Sequence, residues 1–133
     1  MDAPTRQELD ELRKLPSHEA ADLILDRYPL DNIGWGKAIT LIEHGSWAVP
    51  DQVRLAEYYL SRLPHANDRA YSVFAKVMQL ERLLAVIERY WPQNTDHVDL
   101  LLYYLRPSLK QASKTDRQAA LVAEWLQKME RTL

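Results

Sequence analysis

The chain contains no cysteine in its 133 residues. That excludes a disulfide framework, a thiolate zinc site and a cysteine nucleophile, and it fits a reducing compartment. No apolar run approaches the ~18 residues that a membrane span needs. The opening MDAPTRQELDELRK is polar and acidic, without the apolar stretch of a signal peptide. These absences predict a cytoplasmic, membrane-free protein. Strand-like alternation is missing too. Apolar residues recur at three- and four-residue spacing along nearly the whole chain, which is the helical period.

What is present is a globular composition. At 47% hydrophobic and 27% charged residues the chain is too apolar for disorder. At this length about two thirds of the unfolded surface can be buried, so residues 1–133 are expected to form a single domain. The net charge of -2 hides an asymmetry. Residues 1–31 hold Asp2, Glu8, Asp10, Glu11, Glu19, Asp22, Asp26 and Asp31 against Arg6, Arg13, Lys14 and Arg27, a local charge of -4 that leaves the rest at +2.

Proline, glycine and cap-forming residues cut the helical pattern into seven or eight short helices. Thr5 with Glu8 reads as a capping box opening a helix over about 5–14. A second helix covers about 17–28, after Pro16. Asp31 reads as the cap of a third, about 32–44, ended by Gly45. Pro50 fits the first turn of a fourth, about 50–63, and Asn67 caps a fifth, about 67–78. A sixth, about 79–91, either continues the fifth through a kink at Met78-Gln79 or stands alone. Thr95 opens a seventh, about 95–112, interrupted by Pro107. Thr115 with Gln118 is a second capping box, starting an eighth over about 116–131.

The familiar catalytic patterns fail on inspection. Gly36-Lys37 suggests a phosphate loop, but the first glycine should fall at 31, which is Asp31, and the magnesium-binding hydroxyl at 38, which is Ala38. Gly34 and Gly36 instead read as helix-start positions where a missing side chain lets a neighbouring helix approach. His18, His44, His65 and His97 show no metal-ligand spacing. Arg13 and His18 have the Arg-x4-His spacing of a group of helical ribonucleases, yet Pro16 breaks the helix inside that span. Gly45-Ser46-Trp47 is not a nucleophile elbow. Glu8 and Glu11 read as a solvated helix face. The sequence therefore predicts neither catalytic residues nor a cofactor or metal.

Two features point to binding. Tyrosine and tryptophan come in adjacent pairs: Tyr58-Tyr59, Tyr90-Trp91 and Tyr103-Tyr104. Helical neighbours point about 100° apart, so one of each pair is expected at least partly exposed. These residue types anchor protein interfaces. Arg106, Lys110, Lys114 and Arg117 are spaced 4, 4 and 3 and would form one basic ridge on a continuous helix. Tyr59, Tyr90, Trp91 and Tyr103 are the expected anchors; Arg106, Lys110 and Lys114 are the expected steering charges.

One segment carries a resemblance. PDQVRLAEYYLSRL (Pro50–Leu63) resembles the second helix of a HEAT-type repeat at Asp51, Val53-Arg54, Ala56, Leu60 and Leu63. LERLLAVIERYWP (Leu80–Pro92) shares the amphipathic pattern without the Asp-x-Val-Arg start. The resemblance implies an all-α, compact right-handed stack of antiparallel helix pairs that binds other proteins. Small cysteine-free domains of this class are similar to bacterial immunity or inhibitor proteins, which cap a toxin or enzyme stoichiometrically. A nucleic-acid-associated regulator using the basic ridge is the alternative, and an adaptor, a chaperone or a small helical enzyme of unrecognised type are further ones. With a sequence pI near 6.1, nucleic acid is the less expected partner.

Overall fold

A computed structural model describes residues 1–65 and 67–131. Among these, eight α-helices and one short 3-10 turn account for the regular structure, and there is no strand. The helices are α1 (Ala3–Arg13), α2 (Ser17–Arg27), α3 (Gly36–His44), α4 (Val49–Tyr59), α5 (Arg69–Val77), α6 (Leu80–Arg89), α7 (Thr95–Ala112) and α8 (Asp116–Glu130), with the 3-10 turn at Ile33–Trp35. None is long and apolar enough to cross a membrane among the described residues.

The helix starts show which of several neighbouring cap formers is used. Asp2, not Thr5, caps α1: its Oδ1 accepts the Thr5 N–H at 2.8 Å. Glu8 is thereby released to bind elsewhere. Asn32, not Asp31, accepts from Gly34 N and starts the 3-10 turn, so α3 begins only at Gly36. Asp31 instead meets Arg62 at 2.8 Å. Asn94 rather than Thr95 caps α7. The capping box at Thr115 does form: Thr115 Oγ1 accepts from Gln118 N at 3.1 Å, while Gln118 Oε1 accepts from Lys114 N at 2.6 Å.

Two expected interruptions change place. Between α5 and α6 the backbone is extended at both Met78 and Gln79, so these helices are not one rod. The cause is legible in burial. Met78 and Leu80 point inward and Gln79 outward, a period of two that a helix cannot satisfy. Pro107, in contrast, lies inside an unbroken α7. It sits on the exposed side, where loss of an amide donor is tolerated by solvent.

Packing follows a simple order. The principal contacts join α1 to α3, α3 to α5 and α5 to α7; a second series joins α2 to α4, α4 to α6 and α6 to α8. The two series meet where α4 and α6 touch α5 and where α7 touches α8. Ile24, Ile42, Leu55, Tyr71, Phe74, Leu83, Ile87 and Leu101 are wholly buried, and Leu84 is also in the core. Polar links repeat across the second series: Arg54 of α4 pairs with Asp22 of α2, Arg89 of α6 with Glu57 of α4, and Lys128 of α8 with Glu88 of α6. Asp51, in the segment that carries the HEAT-type resemblance, accepts from Ser17 Oγ at 2.6 Å and from Arg54 at 3.2 Å, locking the start of α4 onto α2.

Candidate interaction surface

The expected anchors separate sharply. Tyr59 is 0% exposed, so it is a core residue and not a surface anchor. It follows Leu55 and Ala56 at i,i+4 and i,i+3, on the buried stripe of α4. Its hydroxyl donates to the Tyr28 carbonyl at 2.8 Å, and burial pushes the phenol far above its ordinary pKa. It belongs to an aromatic cluster. The Trp35 ring lies 6.2 Å from Tyr59 and 5.2 Å from His65, which in turn lies 5.7 Å from Tyr71. His65 Nε2 donates to the Tyr59 carbonyl at 2.7 Å, and burial lowers the imidazole pKa despite that bond.

Tyr90 and Trp91 are half-buried at the end of α6. Trp91 stands edge-on to Trp125 at 5.5 Å, and its Nε1 is buried without a hydrogen-bond partner among the described residues. Tyr103 is 72% exposed. With Leu100, 41% exposed, and with Pro107 and Lys110, it follows i, i+3, i+7 and i+10, one stripe along α7. The opposite side of α7, through Leu101, Leu105 and Leu109, is wholly buried.

The expected basic ridge is not continuous. α7 ends at Ala112, Lys114 falls in the connection to α8, and Arg117 lies in the first turn of α8. Arg106 turns toward Glu130 of α8 and pairs with it. Lys114 Nζ donates to the Gln111 carbonyl at 3.0 Å. Extrapolating helical periodicity across Ser113, which is extended, produced the apparent line.

Lys114 and Arg117 instead border a groove with two cations that the sequence did not single out, Lys76 and Arg82. Three open hollows of about 780, 490 and 400 Å³ run together there, each lined in part by Gln118. The walls come from the end of α5, the start of α6, the end of α7 and the start of α8, with Glu43 of α3 and Val49 and Gln52 of α4 at the margins, so no local motif could announce the site. Four cations face two carboxylates, Glu43 and Glu81. Lys76 has one of them 3.8 Å away, on Glu43. Arg82 donates to Gln79 Oε1 at 2.8 Å, an uncharged partner.

The remaining candidate chemistry resolves into structural roles. Lys37 lies 3.2 Å from Glu8, and a Cβ on Gly36 would meet nothing within 4 Å, so no helix approaches closely there. Burial opposes ionisation of Glu8, but hydrogen bonds from Tyr28, Lys37 and Arg27 outweigh it and hold the carboxyl below its usual range. Arg13 donates to the His44 carbonyl at 3.0 Å rather than working with His18. Gly45 does have a steric role: a Cβ there would sit 2.7 Å from the Trp47 ring. That ring walls a hollow of about 80 Å³ between α1, α2 and α3, smaller than ligand pockets of a few hundred Å³. No group of three or more His, Asp or Glu side chains able to hold a metal occurs among the described residues.

Comparison with protein-family models, with curated proteins and with solved structures gives no match.

Proposed function

We propose that this chain is a non-catalytic protein-binding module, a short right-handed α-solenoid of antiparallel helix pairs in the HEAT-like manner. On this reading it caps a partner protein stoichiometrically, as immunity and inhibitor proteins cap a toxin or enzyme. Support for the architecture is the spacing of its polar links. Asp22 to Arg54 and Glu57 to Arg89 each span 32 residues, Ser72 to Ser108 spans 36, and Glu88 to Lys128 spans 40. A stack of helix pairs contacts only its neighbours and generates such near-constant separations. The absence of cysteine supports a cytoplasmic address.

The observation that carries the function is the outer stripe of α7. In a stack, a terminal helix needs a polar outer face to stand alone in water. The outer face of α7 offers Leu100 and Tyr103 instead, beside Lys110. The other exposed large hydrophobics among the described residues, Met1, Ile33 and Val49, lie on three separate segments. A partner covering Leu100 and Tyr103 would complete the end of the stack, with Tyr103 as the aromatic anchor and Lys110 at the rim. Tyr90 and Trp91, half-buried at the end of α6, are lesser contacts in this reading.

The test is capture from the native lysate by the tagged chain, at low salt and at ~0.5 M salt, with and without nuclease. One protein should be retained at near-equal stoichiometry in all conditions. Leu100→Asp and Tyr103→Asp should each release it while the circular dichroism spectrum stays unchanged. Nucleic acid that washes off with salt, or capture indifferent to both substitutions, overturns the proposal.

A further inference from the structure

Several cations of this molecule are held by carboxylates. Arg27 and Lys37 meet Glu8, Arg54 meets Asp22, Arg62 meets Asp31, Arg89 meets Glu57 and Arg106 meets Glu130. The groove around Gln118 instead gathers four cations against two carboxylates. Arg82, Lys114 and Arg117 line it without a carboxylate partner among the described residues, and only Lys76 has one nearby. The carboxamides in the groove add to the asymmetry. Gln118 uses its Oε1 to accept from Lys114 N, and Gln79 uses its Oε1 to accept from Arg82. Each is left presenting an NH2 donor. The groove therefore supplies positive charge and N–H donors together, and what it calls for is a ligand rich in anionic oxygen.

We propose that this groove docks an extended acidic segment of a partner protein, a stretch rich in Asp and Glu. The inference rests on the protein-binding reading and adds a second contact surface to the one on α7. Size argues for a segment rather than a small anion: the cations stand on three helices and the α7–α8 connection, around joined hollows of about 780, 490 and 400 Å³. Arginine guanidinium groups at two of the four positions can each bind a carboxylate in bidentate fashion. A nucleic acid strand fits less well. No aromatic side chain lines the three hollows to stack a base, and Glu43 and Glu81 stand against a continuous phosphate backbone. Glutamate carboxylates sit on rotatable side chains that can turn away from those two acids, whereas phosphates are fixed in the backbone of a strand.

The measurement is a titration followed by backbone amide NMR shifts, using an oligoglutamate peptide of about ten residues, about 33 Å when extended. An oligo-dT strand of matched length is run in parallel, both at ~0.05 M salt. Oligoglutamate should give saturable shifts concentrated at Met78–Arg82 and Lys114–Gln118. The double variant Arg82→Glu, Arg117→Glu should weaken binding by about tenfold or more, while the charge-matched Lys14→Glu, Arg131→Glu control keeps it. Tyr103→Asp should leave the titration unaltered, so loss of partner capture in that variant and loss of peptide binding are separate results. Shifts scattered over every exposed cation, equal loss in the control pair, or tighter binding of oligo-dT would overturn the proposal. In that case capture through α7 would still stand or fall on its own test.

Discussion

Replacing Tyr59 with phenylalanine removes one oxygen atom from the centre of the molecule. In the folded chain that hydroxyl donates to the Tyr28 carbonyl at 2.8 Å, with the Ile24 carbonyl at 3.4 Å. The ring itself stays seated against Trp35 and edge-on to Tyr58 at 4.9 Å. Phenylalanine fills the same space, so the cost is that of leaving a sequestered carbonyl short of its donor, about 1–2 kcal/mol. For a chain of this length about 1 kcal/mol moves Tm by about 3–5 °C. Thermal unfolding followed at 222 nm should therefore show Tyr59→Phe melting about 3–10 °C lower. Tyr103→Phe, at a site 72% exposed, is the matched control and should melt with the parent protein. Tyr59→Ala should cost about 3–5 kcal/mol, since it adds a cavity to the lost bond. If Tyr59→Phe melts with the parent and instead weakens partner capture, the core placement of Tyr59 is wrong and the surface-anchor reading returns.

Three further outcomes follow from the packing. Burial lowers the pKa of His65 beneath the ordinary imidazole value of about 6.5, so as pH falls through that value the unfolded chain takes up the extra proton first. Stability should fall as pH drops from about 7 toward 5, and His65→Gln should flatten that slope in a series of melts; a parent Tm independent of pH in this window would refute the assignment. Gly45→Ala meets no backbone penalty at φ -90°, but its Cβ would strike the Trp47 ring. It should cost about 1–3 kcal/mol by chemical denaturation, and the penalty should vanish in a Trp47→Leu background. Leu84→Asp should abolish the cooperative transition, because it places a carboxylate where Leu84 is 3% exposed; a native, equally heat-stable spectrum would contradict the facing of α6.

The helical class and the rough division into eight segments were legible because both depend on periodicity and on proline and glycine, which act locally. Cap choice was not. Asp2 competes with Thr5, Asn32 with Asp31 and Asn94 with Thr95, and which residue caps depends on how the chain arrives at the helix. The Tyr58-Tyr59 pair did hold usable information. Leu55, Ala56, Tyr59 and Leu60 form one apolar stripe, and reading it would have placed Tyr59 inside. The groove had no such signal. Lys76 and Arg82 flank the α5–α6 break, and Lys114 and Arg117 flank the start of α8, so only tertiary packing brings the two pairs together.

The repeated links Asp22–Arg54, Glu57–Arg89 and Glu88–Lys128 have a consequence for how the molecule comes apart. Each ties a helix to the one two places along, and none ties the first helices to the last. An opening event that starts at α8 breaks its contacts to α6 and α7 and leaves α2 and α4 closed. Amide exchange should accordingly be slowest in α3 to α6, which have neighbours on both sides, and fastest in α1 and α8. Ligands bound at α7 would slow exchange there first, because they stabilise the closed form of the helices they touch and of α8, which packs on α7.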